Sequence, residues 1–256
     1  MKNLFDLKDK TAIVTGGYGY LGEAISLILA NNGAKVYVAG RNIDKFKTKF
    51  KDKENIRFLH FDISNNDSIK NSFKEVFEKE KRIDILVNNA FYGASSHPEN
   101  MTTLEWEKGI DGGLNSVFRC INEVFPYMKN NDSSKIINIS SMYGMVVPDL
   151  SVYEGREQFL NPPNYGVAKS GVLHLTKYYA MYLAKYNINV NAISPGPFPS
   201  PSVQKDTEFT ERLKNKNPMK RIGNPEDLQG LILLLASEAS GYITGQNIAI
   251  DGGWTL

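Results

Sequence analysis

The chain has one cysteine, Cys120, so no internal disulfide can form and a reducing compartment is the simple expectation. Its three histidines, His60, His97 and His174, share no metal-ligand spacing with one another or with Cys120, and no metal site is expected. Long apolar runs are missing too. None approaches the roughly 18 residues of a membrane span, and the longest, Leu228 to Ala236, is broken by Gln229 and reads as a buried helix. The N-terminus, Met1 to Asp9, carries charges where a signal peptide needs an apolar core, which points to a cytoplasmic protein. Neither sign of charge is in excess: 30 Lys and Arg are interspersed with 28 Asp and Glu, which offers no nucleic-acid surface. No repeat, low-complexity tract or linker divides the chain, so residues 1–256 are expected to form a single domain.

What is present is a rhythm. Short β-branched runs at 11–15, 35–39, 56–60, 83–88, 135–140, 188–193 and 247–250 alternate with helix candidates near 21–31, 42–50, 66–80, 102–129, 165–186 and 225–237. Nearly continuous apolar strands such as Ile83–Val87 imply burial on both faces. The expected fold is therefore α/β, a doubly wound (Rossmann) seven-stranded parallel sheet with helices on both faces. Two proline-rich stretches, 144–164 and 195–218, lack a period and follow strands. They read as substrate loops at the carboxyl edge of the sheet, where doubly wound folds bind ligands.

Residues 15–22, Thr-Gly-Gly-Tyr-Gly-Tyr-Leu-Gly, follow the first strand and open a helix. Gly16, Gly19 and Gly22 have the spacing of a dinucleotide loop, in which free amides at the helix start hold a pyrophosphate. Tyr18 is expected to be exposed beside the phosphates, Tyr20 to turn towards the cofactor or the cleft, and Leu21 to join the same wall. The second strand ends Ala39-Gly40-Arg41, without the acid that would accept bonds from the ribose hydroxyls. Arg41 offers a guanidinium suited to a 2′-phosphate, so NADP(H) is the preferred cofactor, with NAD(H) the alternative.

Tyr165-Gly-Val-Ala-Lys169 sets two ionisable groups on one helix face. A free tyrosine is almost fully protonated at neutral pH, and a neighbouring ammonium would favour its phenolate. Such a tyrosine can exchange a proton with an alcohol or carbonyl while a hydride moves.

Taken in order, Thr15–Gly22, Asp62, Asn88-Asn89-Ala90, Asn115, Ile139-Ser140-Ser141, Tyr165 with Lys169, Pro195-Gly196 and Asp251-Gly252-Gly253-Trp254 resemble the short-chain dehydrogenase/reductase family in its compact form. The resemblance spans essentially the whole chain. It implies that Tyr165 is the general acid/base, Ser141 orients the reacting oxygen, and Lys169 holds the ribose and lowers the Tyr165 pKa. It further implies that Asn115 supports a proton-relay water, Asp62 and Ile63 flank the adenine, and Asn88 and Ala90 line the middle of the cofactor. Pro195, Gly196 and Ser200 would complete the nicotinamide side. Strand alternation lets only one of Ser140 and Ser141 face the cleft, and Ser141 fits the family pattern better.

The chain also departs from that pattern. Its glycine spacing resembles the longer, nucleotide-sugar-modifying branch, which carries an extra substrate domain that 256 residues leave no room for. Phe91 replaces a glycine beside the cofactor. The segment between Ser141 and Tyr165 is long, and it places Tyr153 and Arg156 near the substrate mouth, with Arg156 a candidate partner for an anionic or polyhydroxylated substrate. Loop and insertion together resemble a bacterial branch of sugar and flagellin-glycan modification. The reading is thus an NADP(H)-dependent oxidoreductase acting on a small carbonyl/alcohol pair, with a sugar derivative as one candidate. Its alternatives are a sugar dehydratase or epimerase that recycles NAD(P) internally, and a non-catalytic cofactor sensor. The family resemblance also implies a homodimer or homotetramer, and from charge balance and the lack of a long apolar run no nucleic-acid or membrane partner is expected.

Overall fold

Thr11–Thr15 (β1), with its unbroken Thr-Ala-Ile-Val-Thr run, is buried throughout, as a strand covered on both faces must be. Lys35–Gly40 (β2), Ile56–His60 (β3), Ile85–Asn88 (β4), Ser134–Ile139 (β5), Ile188–Pro195 (β6) and Asn247–Ile250 (β7) complete the seven strands found among the described residues. The computed structural model describes residues 3–51, 53–93 and 96–256; Met1 and Lys2 of the charged N-terminal stretch lie outside them. All pairings are parallel, in the order β3-β2-β1-β4-β5-β6-β7. The order reverses between β1 and β4, so the crevice of a doubly wound sheet opens beyond Thr15 and Asn88.

Strand alternation divides the core. Ile13, Tyr37 and Ala39 face Asn66–Glu80 (α3), Ser116–Met128 (α5) and Pro163–Leu183 (α6), where Phe73, Ile121 and Val172 meet them. Ala12, Val14, Val36 and Val38 face the other way, towards Tyr20–Asn31 (α1), Ile43–Phe50 (α2) and Gln229–Ala236 (α8). A third, smaller cluster lies off the sheet edge and joins Met142, Tyr143, Val152, Tyr153, Phe209, Leu213 and Trp254.

Three stretches differ from the sequence expectation. The helix expected over 102–129 is interrupted: Thr103–Ile110 (α4) leads through a π turn, Asp111–Asn115, into α5. The segment 195–218, read as a loop, contains Thr207–Lys216 (α7), capped by the Asp206 side chain accepting from the Phe209 amide. Segment 144–164 is a chain of 3-10 turns, including Leu150–Tyr153 and Glu157–Phe159, rather than a free loop. The remaining strand and helix ends move by only a few residues, within the fraying of element termini.

Candidate active site

The glycine loop turns at Gly16, whose φ of +63° suits glycine, and its amide donates to the Ala39 carbonyl at 2.7 Å. A Cβ on Gly22 would stand 2.2 Å from the Gly16 carbonyl oxygen, so only glycine lets α1 start this close to the turn. Asn89 locks the arrangement. Its side-chain amide donates to the Thr15 and Gly16 carbonyls at 3.0 and 3.2 Å, while the Asn89 and Ala90 amides both donate to the Thr15 hydroxyl. The sequence reading quoted Asn89 as part of a motif without giving it a role; its signal was the doubled asparagine at a strand end. No side chain caps α1 at Gly19, which leaves its first-turn amides facing the crevice.

Beyond the loop lies a cavity of about 730 Å³, walled by Gly16, Tyr18, Gly19, Tyr20, Leu21, Arg41, Asp62, Ile63 and Ala90 among others. Burial acts to raise the Asp62 carboxyl, but hydrogen bonds from Ser64 and the nearby Arg41 and His60 charges outweigh it and hold the group below its ordinary range. Tyr20 stands in this wall, and its hydroxyl accepts from Gln204 at 3.3 Å. Tyr18 does not lie exposed beside the phosphates. It is half-buried against Gly40, and its hydroxyl accepts from the Arg41 and Asn42 amides at 3.0 and 3.1 Å. Asn88, by contrast, is not in the wall. Its side chain points into the core, donating to Asn138 at 2.9 Å, and Asn138 in turn donates to Thr176.

A second cavity, about 510 Å³, shares Leu21, Asn89 and Phe91 with the first, so the two form one elongated cleft with room for both ends of a dinucleotide. Ser141, Tyr165, Lys169, Pro195 and Gly196 line it. The end of β5 and the first turns of α6 hold the reactive groups together: the Ser140 hydroxyl donates to the Lys169 carbonyl at 2.9 Å, and Lys169 Nζ donates to the Ile139 carbonyl at 2.7 Å. With Ser140 spent on α6, Ser141 lines the same cavity as Tyr165, and its hydroxyl accepts from the Tyr143 amide at 3.1 Å. Lys169 Nζ lies 5.7 Å from the centre of the Tyr165 ring, and Phe91 meets that ring edge-on at 5.2 Å.

In the chain by itself, desolvation dominates the electrostatics of Tyr165 and Lys169. Burial pushes the Tyr165 phenol above its ordinary value, and the nearby Ser141 hydroxyl offsets this only in part. The same desolvation pulls the Lys169 ammonium down to about 8. A low-dielectric pocket resists charge on both groups.

Asn115 is not brought to this site. It is exposed, and its amide donates to Asp111 at 3.2 Å, within a cluster where Arg119 binds both Asp111 oxygens and Tyr92 also donates to Asp111. The π turn explains the difference. Two residues along a helix is about half a turn, and Gly113 is the position facing inward: a Cβ there would stand 2.7 Å from Ala168 Cβ and 3.3 Å from the Phe91 ring. The helix therefore presents a glycine where the sequence reading placed an asparagine.

The substrate side is built by the third cluster. Tyr153 reaches the cavity wall, its hydroxyl paired with that of Tyr143. Arg156 does not. Its Nε donates to Asp206 at 2.6 Å, Nη2 to Glu208 at 2.9 Å and Nη1 to the Gly155 carbonyl at 2.7 Å, so the guanidinium ties the insertion to α7. Phe159 stacks on Phe209 at 4.7 Å across the same junction. Ser200 also stays outside the wall, its hydroxyl paired with Ser202 at 2.8 Å. Gln158, Asn161 and Phe198 line the cavity and were not singled out from the sequence, because they lie in segments without a period.

Residues 20–255 match the family model for enoyl-(acyl carrier protein) reductase. The 3-oxoacyl-[acyl-carrier-protein] reductase FabG of Thermotoga maritima is 33% identical over 255 residues, covering 98% of this chain and 99% of that protein. Among solved structures, a short-chain dehydrogenase of Leptospira borgpetersenii with bound NAD+ is 32% identical, with a TM-score of 0.88 over 100% of this chain and 97% of that one. A gluconate 5-dehydrogenase of Burkholderia cenocepacia in complex with NADP and tartrate is 27% identical, with a TM-score of 0.88 over 98% and 97% of the two chains.

Proposed function

The chain belongs to the short-chain dehydrogenase/reductase family, and from that premise we propose that it is an NADP(H)-dependent oxidoreductase interconverting an uncharged carbonyl and its alcohol, sugar derivatives included. The observation that carries the reading is the convergence of Ser141, Tyr165 and Lys169 in the wall of a cleft that runs on to the glycine loop. Bound in that cleft, the nicotinamide supplies or takes up the hydride. In the reducing direction the Tyr165 hydroxyl, kept protonated by burial, gives its proton to the oxygen that gains charge. Ser141 donates a second hydrogen bond to that oxygen and fixes its distance from Tyr165. Lys169, anchored on the Ile139 carbonyl, would hold the ribose of a bound cofactor and, as an ammonium, could return a proton towards Tyr165. Phe91 lines both halves of the cleft and covers one edge of the Tyr165 ring.

Aromatic and apolar walls (Phe159, Phe198, Phe209 and Leu213), with Gln158 and Asn161 as polar points, support an uncharged substrate. Lys169 is the one cation among the described residues lining this second cavity, and Arg156 is already neutralised. The exposed Phe118, Tyr178, Met181 and Tyr182 on α5 and α6 support a homo-oligomer, which a single-chain mass in solution would remove. The activity itself is tested by screening ketones, keto sugars and sugar alcohols with NADPH and NADP. Stoichiometric loss or gain of reduced nicotinamide is expected. Product formation without any net change in the cofactor would instead establish internal recycling.

A further inference from the structure

Tyr18 occupies a position that the motif alone does not explain. Its ring lies over Gly40, and a Cβ at residue 40 would come within 2.5–2.7 Å of Tyr18 Cε1, Oη and Cζ. The two positions are therefore coupled: Tyr18 can sit here only because β2 ends in glycine rather than in a side chain. The hydroxyl oxygen accepts from two backbone amides, Arg41 at 3.0 Å and Asn42 at 3.1 Å, which uses its capacity as an acceptor. What remains is its proton, for which no described residue provides an acceptor, at the rim of the cavity that Arg41 also lines.

A ribose diol needs an acceptor at this point, and a 2′-phosphate needs donors. With its lone pairs engaged, Tyr18 can only donate. Arg41 can only donate too. Asp62, the carboxylate among the described wall residues, accepts from the Ser64 amide and hydroxyl at 2.9 and 2.7 Å through Oδ1, which leaves Oδ2 as the acceptor that Tyr18 and Arg41 do not supply. We propose that Tyr18, held by the Arg41 and Asn42 amides over Gly40, is a specificity-determining residue whose hydroxyl donates to the 2′-phosphate of the cofactor. The inference rests on the NADP(H) reading and adds the residue that enforces it. A neutral hydroxyl bound to a dianionic phosphate gains more than one bound to a ribose hydroxyl, so its removal costs NADPH selectively.

The test is equilibrium binding of NADPH, NADH, 2′,5′-ADP and 5′-AMP to wild-type, Tyr18→Phe and Gly40→Ala proteins, by calorimetry and nicotinamide fluorescence. In Tyr18→Phe, which keeps the ring, the NADPH-over-NADH and 2′,5′-ADP-over-5′-AMP affinity ratios should both fall about tenfold or more. Gly40→Ala, which pushes the ring off the amides, should lower the same ratios. Unchanged ratios in Tyr18→Phe, with the wild type still preferring NADPH, would overturn the role of Tyr18 and leave the cofactor reading intact. A wild-type protein that binds NADH as tightly as NADPH would overturn the cofactor reading itself.

Discussion

The two halves of the cleft are built on different principles. The glycine-loop half is made largely of backbone: a turn at Gly16, uncapped amides at the start of α1, and carbonyls pinned by Asn89. The substrate half is made of side chains from segments far apart in sequence, with the 144–164 turns held to α7 by Arg156, by the Lys216–Asp149 pair and by stacked Phe159 and Phe209. Backbone-built sites follow from local sequence, because a turn and a helix start need particular residues at particular spacings. Side-chain-built sites depend on which distant partners meet. Ser141, Tyr165 and Lys169 lie beside the junction of the halves, and Phe91 lines both.

The sharpest way to break the junction is Gly113→Ala. Helix propensity would favour alanine by about 1 kcal/mol, but its Cβ would meet Ala168 at 2.7 Å, next to Lys169. Overpacking of that kind costs about 1–3 kcal/mol, so stability should change little while α6 shifts. A displacement of that sort should lower kcat/KM about tenfold to a hundredfold, read by steady-state kinetics beside a thermal melt. A pH series separates the halves at Lys169. Burial brings its ammonium down to about 8, so the group is charged below that pH and neutral above it. NADPH affinity should therefore weaken a few-fold between roughly pH 7 and pH 9, and Lys169→Met should remove the slope.

Arg156→Ala probes the substrate half alone. Loss of its partly exposed pairs with Asp206 and Glu208 should cost about 1 kcal/mol and lower Tm by about 3 °C. KM should rise modestly and equally for neutral and anionic substrates. A loss confined to anionic substrates would restore Arg156 as a binding group. Smallest of all, Asn115→Ala should leave turnover within about twofold, since the side chain bonds Asp111 at the surface.

Legibility in the sequence followed the same division. Tyr165 and Lys169 share a helix face because four residues on a helix is a fixed geometry, and they line one cavity, while the crevice position follows from parallel strands alternating with helices. Asn115 was misplaced because nothing local announces the π turn at Asp111–Asn115 that sets which residue faces inward. Arg156 was misassigned because its partners lie on α7, a helix whose mostly charged surface hid the three buried positions Phe209, Thr210 and Leu213. Tyr18 was read as an exposed residue of a glycine turn, because its hydrogen bonds reach across to the end of β2.

The central claim is that Tyr165 is the proton donor at a site whose cofactor binding is built elsewhere. It is tested most directly by Tyr165→Phe, with NADPH binding measured by fluorescence and turnover measured on the same preparation. The account predicts NADPH affinity within about threefold of wild type and a kcat lower by about a thousandfold or more. Turnover retained at the wild-type level in Tyr165→Phe would contradict it.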